Sequence, residues 1–314
     1  MQEPEILISS NKNIKGKKKT IMTKANFINT VQGFFHYHSI GESENQIHFC
    51  HGNSLSAGTY RPFLEKLCSH NLKIYAPDIR GHGFSTKENT ARIKNWDIFI
   101  KDLEQIVLSI TKPPVIGIGH SIGGYFTYAA AALYPHLFSK VILLDPIIFP
   151  PTIVWLAALI RKTGLAGNLP LSKMTRTKKK EFQSLSEALT HYSGKGMFKS
   201  WKSEYVQAYV DTAIEKDTTT TWELCCNPEF EAQIYQFVPF NTWQHAGNIN
   251  VPVLVVRGEK SDLFHKKAGI RLTKKIKDCT FVELKNQGHF FMMEDPDKTI
   301  DTILPFIQDT QAGV

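Results

Sequence analysis

Ser121 is the residue in this chain best placed for covalent chemistry. It lies in Gly119-His120-Ser121-Ile122-Gly123-Gly124, directly after the apolar, β-branched run that starts at Val115 and directly before a run of small residues, Tyr125 to Tyr134. Strand, sharp turn and helix in that order lift a serine Oγ above a sheet edge and aim a helix N-terminus at any oxyanion formed there. Small neighbours are required, because side chains at Gly119 and Gly123 would collide across the turn. A serine hydroxyl is a weak nucleophile until a base takes its proton, and that base needs an acid to fix its tautomer and stabilise its charged form.

The base is sought downstream. His289, in Asn286-Gln287-Gly288-His289-Phe290, follows the last predicted strand, where a loop can carry it over the sheet edge. For the acid, Asp262 is the first choice: it lies just past the strand Val253 to Val256 and leaves room for one helix and one strand before His289. Glu259 sits too early in the same turn. Asp145, after the strand Lys140 to Leu144, is the rival, although an aspartate before Pro146 also suits an ordinary strand-end turn. Two backbone donors complete the set. Ile122 N–H follows the nucleophile, and Asn53 N–H follows His51-Gly52, where a glycine lets the backbone approach closely. Because both donors are main-chain groups, truncating the Asn53 side chain is expected to matter little. His36 and His38 share a strand face but have no third ligand at a metal-site spacing, so no metal is expected.

These groups need a sheet to hold them. Strands are predicted at Gly33 to His38, Gln46 to Cys50, Leu72 to Ala76, Val115 to Ile118, Lys140 to Leu144, Val251 to Val256 and Thr280 to Leu284. Helical periodicity falls between them, at Ala57 to Ser69, Ile93 to Val107, Tyr125 to Tyr134, Lys266 to Ile276 and Pro296 to Gln308. That alternation predicts an α/β fold with a mostly parallel central sheet and helices on both faces. It stops between residues 147 and 248, which read as helices and polar loops with a basic cluster at Lys173, Arg176, Lys178, Lys179 and Lys180. The expected division is therefore a basic tail over 1–25, a core over 26–146 and 249–314, and a helical cap over 147–248.

Composition is that of an ordinary globular chain, 42% hydrophobic and 21% charged, with a net charge of +8. Part of that charge lies in the polar N-terminal segment, and no aromatic-interleaved platform or zinc module accompanies it, so no nucleic-acid partner is expected. The N-terminus has no apolar core of a secretory signal, and the longest apolar run, Ile147 to Ile160, is shorter than the roughly 20 residues a bilayer requires. Five cysteines without paired spacing suit a reduced compartment, and the expected location is cytoplasmic. The glycines around Ser121 lack the later acidic partner of a dinucleotide loop, so no cofactor is expected.

His51-Gly52-Asn53, Asp78-x-Arg80-Gly81-His82-Gly83-x-Ser85, the Ser121 motif, Gly258-x-x-Ser261-Asp262 and Gly288-His289 occur in the order seen in the α/β-hydrolase superfamily, and the chain resembles its serine-hydrolase, esterase and lipase branch. The resemblance covers about residues 33–310 and implies a helical cap inserted after the sixth core strand. It also implies that the Asp78–Ser85 loop is structural and that His82 is not the base. Ser121 separates the chain from relatives that use aspartate at this turn, and Gly-His-Ser-Ile-Gly departs from the Gly-Gly-Ser-Trp-Gly of prolyl iminopeptidases. Hydrolysis of a carboxylic ester is the leading reaction. Thioester, lactone and carbon–carbon bond hydrolysis, cofactor-free perhydrolysis and a non-enzymatic receptor are the alternatives.

Substrate choice in such a fold falls to the cap. Its aromatic content, with His120, Trp155 and Phe290 as candidate pocket residues, predicts a hydrophobic small-molecule ester. The basic cluster is expected to be a solvated loop rather than an anionic-membrane contact. Oligomeric state is not encoded in these motifs.

Overall fold

The computed structural model describes residues 23–87, 93, 95–163, 169–216, 220–237 and 239–309. Most of the expected tail therefore lies outside the described residues, and the first strand already begins at Thr23. Along the chain come β1 (Thr23–Thr30), β2 (Gly33–Ile40), β3 (Gln46–Cys50), α1 (Arg61–Cys68), β4 (Lys73–Pro77), α2 (Asp97–Ile110), β5 (Val115–His120), α3 (Ile122–Leu133) and β6 (Phe138–Leu144). The insertion follows, with α4 (Pro151–Lys162), α5 (Pro170–Arg176), β7 (Glu181–Phe182), α6 (Leu185–Tyr192), α7 (Ser203–Ala213), β8 (Ile214–Lys216), β9 (Trp222–Leu224), α8 (Pro228–Gln236) and α9 (Thr242–His245). The chain then returns to the core through β10 (Val253–Gly258), α10 (Lys266–Lys275), β11 (Cys279–Leu284), α11 (Phe291–Glu294) and α12 (Pro296–Gln308).

The central sheet has eight strands in the order β1-β2-β4-β3-β5-β6-β10-β11. The β1/β2 and β2/β4 pairs are antiparallel, and every pair from β4 to β11 is parallel. The α/β expectation holds. The pleat explains why the central strands read as unbroken apolar runs: Ile142, Leu144, Leu254 and Val256 face one apolar layer, while Val141, Leu143, Val253 and Val255 face the other. Helices α1 and α12 pack on the first side, and α2, α3 and α10 on the second. Each layer continues into the insertion. Trp201, Tyr205 and Tyr209 join the first layer, and Phe230 and Ile234 the second.

Two features depart from the sequence reading. The sequence predicts no strand over β1, whose first three residues fall in the expected tail, because Thr-Lys-Ala-Asn-Phe-Ile-Asn-Thr has little apolar alternation; it is an edge strand paired only with β2. The insertion is not wholly helical. It contains a three-stranded antiparallel sheet, β7-β9-β8, whose strands are too short to carry a readable period.

The interior holds an unusual set of neutral histidines. His48 on β3 is fully buried, and neither ring nitrogen has a hydrogen-bond partner among the described residues. Burial pushes its pKa down to about 3. Between that value and the ordinary 6.5, the unfolded chain binds a proton at His48 that the folded chain does not, so stability is complete above 6.5 and is lost as pH falls, by up to about 1.4 kcal/mol per pH unit. His48→Leu is therefore expected to flatten the pH dependence of urea unfolding between pH 7 and pH 5. Removing an unpaired buried ring should also raise the thermal midpoint by about 2–4 °C. An unchanged pH slope in the variant would assign the acid sensitivity to other groups.

Candidate active site

Ser121 sits at the turn between β5 and α3 with φ 58° and ψ −122°, a left-handed conformation that costs a non-glycine residue energy. The glycines around it are demanded by close approach. A Cβ on Gly119 would fall 2.3 Å from the carbonyl oxygen of Gly123, and one on Gly123 would fall 2.3 Å from those of Cys50 and His51. Helix and strands are thus pressed together where the serine emerges.

Ser121 Oγ lies 3.0 Å from His289 Nε2, and His289 Nδ1 lies 2.6 Å from Asp145 Oδ2. Both ring nitrogens are engaged: Nδ1 donates to the carboxylate, which leaves Nε2 to accept from the serine hydroxyl. Ser121 and His289 are each 8% exposed, and Asp145 is fully buried. The carboxylate is further held by Gly258 N–H at 3.0 Å and by the Ser261 hydroxyl. This arrangement can activate the serine and orient the imidazole.

Asp262, the first choice for the acid, is not part of it. Its side chain is exposed, and the partner of His289 is Asp145. The reason lies in strand register. His120 pairs with Leu144 across β5 and β6, so the next residues, Ser121 and Asp145, stand side by side, and Ser121 N–H donates to Leu144 O at 3.0 Å. The turn after β10 instead carries Asp262 outward and leaves its neighbour Ser261 facing Asp145. The sequence held both carboxylates at strand ends, but not which strand lies beside β5.

The loop after β3 approaches the serine as expected. A Cβ on Gly52 would come within 3.2 Å of Ser121 Cβ. The amides of Asn53 and Ile122 donate to no acceptor among the described residues. The Asn53 side chain, however, is engaged: its Nδ2 donates to Glu231 O at 3.4 Å. His82 is buried and donates through Nδ1 to Arg80 O, so its Nε2 accepts from Ser54 N–H at 3.2 Å. It serves the loop rather than Ser121, in keeping with the structural role anticipated for the Asp78–Ser85 segment. Asp78 anchors that segment by accepting from His36, Ala57 N–H and Phe84 N–H.

The three candidate pocket residues separate. Phe290 lies beside His289, with ring centroids 4.8 Å apart, and also contacts Trp201. His120 does not line a cavity. It is fully buried beneath the site, donates through Nε2 to His289 O at 3.1 Å, and accepts at Nδ1 from the Tyr60 hydroxyl at 2.6 Å; the Tyr60 oxygen in turn accepts from Gly52 N–H at 3.0 Å. Burial, then the neighbouring His289, holds its pKa well below the usual histidine value, so it remains the neutral tautomer this chain of bonds requires. Trp155 is 76% exposed on α4 and faces solvent. The basic cluster is also not a free patch, since Arg176, Lys178, Lys179 and Lys180 pair with Glu229, Glu231, Glu187 and Glu181.

Residues 41–296 match the serine aminopeptidase S33 family. The chain belongs to that family of α/β-hydrolases. A monoglyceride lipase from Rattus norvegicus is 33% identical over 34% of this chain and 37% of its own length, so the chain matches little more than a third of that relative. The 2-(acetamidomethylene)succinate hydrolase of Mesorhizobium japonicum is 23% identical over 82% of this chain and 86% of its own. Among solved structures, an E-2-(acetamidomethylene)succinate hydrolase superposes with TM-score 0.74 at 18% identity, covering 92% of this chain and 100% of that one. A thioesterase domain from the curacin biosynthetic pathway gives 0.76 at 16%, covering 90% and 99%. These likenesses establish the fold of this S33 member. Among the described residues no helix is long and apolar enough to cross a membrane.

The geometry separates the two aspartates. In this S33 member Asp145→Asn is expected to slow fluorophosphonate labelling of Ser121 by on the order of a thousandfold or more, because the asparagine favours the wrong imidazole tautomer. Asp262→Asn should label within about twofold of wild type, as surface substitutions usually do little. Mass spectrometry of the labelled peptide reads both, and the reverse ranking would restore Asp262 as the acid.

Proposed function

We propose that the chain is a serine hydrolase that cleaves carboxylic esters of hydrophobic acyl or aryl groups through an acyl-enzyme. The observation that carries this reading is the unbroken hydrogen-bonded path from Ser121 Oγ through His289 to Asp145. Ser121 attacks the ester carbonyl while His289 Nε2 takes the hydroxyl proton, and Asp145 stabilises the imidazolium that results. The negative charge on the carbonyl oxygen is received by the N–H groups of Ile122 and Asn53; losing one such donor typically costs about 3 kcal/mol of barrier. As the tetrahedral species collapses, the ester C–O bond breaks and His289 returns its proton to the departing alcohol. Water, deprotonated by His289, then attacks the acyl-serine, and release of the acid regenerates the Ser121 hydroxyl.

The hydrophobic preference is supported by the aromatic surroundings of the base, where Phe290 lies edge-on to His289 and Trp201 packs on Phe290, and by the likeness to monoglyceride lipases over a third of the chain. A second reading, hydrolysis of a short acid-bearing substrate, is favoured by the longer match to the 2-(acetamidomethylene)succinate hydrolase. Turnover of nitrophenyl esters from acetate to palmitate, with the hemisuccinate included, decides between them. The proposal expects kcat/KM to rise from acetate into medium chains and Ser121→Ala to lose at least about a thousandfold. Equal turnover by wild type and Ser121→Ala would overturn the mechanism. Preference for the hemisuccinate would select the second reading.

A further inference from the structure

The residues that grip the Asn53–Ser54 turn come largely from outside the core. Helix α8 of the insertion carries Glu231 and Tyr235 one turn apart, on one face of the helix. Glu231 is 2% exposed. Its Oε1 accepts from the Ser54 hydroxyl and from Lys178 Nζ at 2.6 Å, and its main-chain oxygen accepts from Asn53 Nδ2 at 3.4 Å. Lys178 Nζ lies 3.2 Å from Ser54 Oγ as well. Tyr235 lies beside the side chains of both Asn53 and Ser54. On the core side, His82 Nε2 takes Ser54 N–H.

Ser54 has φ 68°, a backbone conformation a serine adopts only when its surroundings impose it. A buried carboxylate is also an expensive way to fill space, since an apolar residue of similar size is often as stabilising or more so. What the carboxylate adds here is direction, because it fixes Ser54 Oγ and with it the peptide plane next to Asn53. We propose that Glu231, supported by Tyr235 and Lys178, is a positioning residue that holds Asn53 N–H toward the oxyanion formed at Ser121. The insertion then sets the geometry of the chemical step as well as covering the site. This inference rests on the serine-hydrolase reading above.

The test compares Glu231→Ala, Glu231→Gln and Tyr235→Phe with wild type in three ways: ester turnover, binding of an alkylboronic acid, whose tetrahedral serine adduct uses the same N–H donors, and amide hydrogen exchange of the peptide over residues 51–60. Glu231→Ala is expected to lower kcat by about 10- to 100-fold, part of the loss seen when an oxyanion donor is removed outright. KM should stay within about threefold, because the contact matters mainly in the transition state. Boronate affinity should fall by the same factor as kcat, and exchange over 51–60 should quicken while the rest of the core is unchanged. Glu231→Gln, which keeps an oxygen for Ser54, should recover most of the loss. Should the alanine variant fail to fold, Glu231→Gln and Tyr235→Phe carry the test, with a smaller loss of the same kind expected in each. Wild-type kcat, boronate affinity and exchange in the variants would overturn the proposal, as would a loss confined to KM. A wild-type protein that neither cleaves esters nor binds boronate would overturn the serine-hydrolase reading instead. The exchange comparison would still decide whether Glu231 holds the loop.

Discussion

Everything at the site depends on the parallel register of three neighbouring strands. His120 stands opposite Leu144, and Leu144 opposite Val256, so the three strands reach the same sheet edge nearly level. The ladder then runs one residue further: Ser121 N–H donates to Leu144 O, and Asp145 N–H donates to Val256 O at 2.7 Å. Ser121 and Asp145 both leave their strands with positive φ, 58° and 45°. Such backbone is unfavourable for residues with a Cβ, and it persists because the ladder bonds and the tight strand-to-helix contact at Gly123 over-determine it. The Ser121 hydroxyl and the Asp145 carboxylate are thereby presented on adjacent strands, and His289, arriving from the loop after β11, bridges them.

Beneath that edge lies a layer of neutral polar groups rather than ionised ones. His120 links the loop that carries Gly52 to the main chain of His289 through Tyr60, and His82 takes the amide of Ser54. Burial drives both imidazoles well below the usual histidine pKa and keeps them neutral, while the carbonyls of Arg80 and His289 decide which nitrogen carries the proton. Buried networks of this kind specify position closely because a displaced member would leave its partner unpaired in a low-dielectric interior. The histidines near Ser121 therefore divide by environment. His289 alone reaches both the hydroxyl and a carboxylate, and the others hold the loops.

The insertion is built into the core more deeply than a detachable cover would be. Its aromatic side chains extend both apolar layers of the sheet, Trp96 Nε1 donates to Ile234 O, and the Tyr128 hydroxyl donates to Thr242 O. Arg176, Lys178, Lys179 and Lys180 are held in ion pairs, one of which, Lys178 with Glu231, touches the turn beside Ser121. Helix α4 presents Trp155, Leu156 and Leu159 to solvent.

The amino-acid sequence is enough for the alternation of strands and helices, the sharp turn at Ser121, the arrival of His289 at the sheet edge and the close approach of the Asn53 loop, because each of these is written in local patterns: apolar periodicity, small residues flanking a serine, and a histidine after the last strand. It left the small sheet β7-β9-β8 and the edge strand β1 unread, since short or polar strands have no period to detect. The rest is set by strand order and by contacts between distant segments. Asp145 and Asp262 both follow buried strands, and choosing between them requires knowing that β6 lies between β5 and β10 in a register that sets Asp145 level with Ser121. His120, Glu231 and Trp155 were settled in the same way. Whether a side chain points beneath the site, across to a loop or out to solvent depends on which elements meet in space, and residues such as Ser54 and Glu231, far apart in the chain, carry no local mark of their contact.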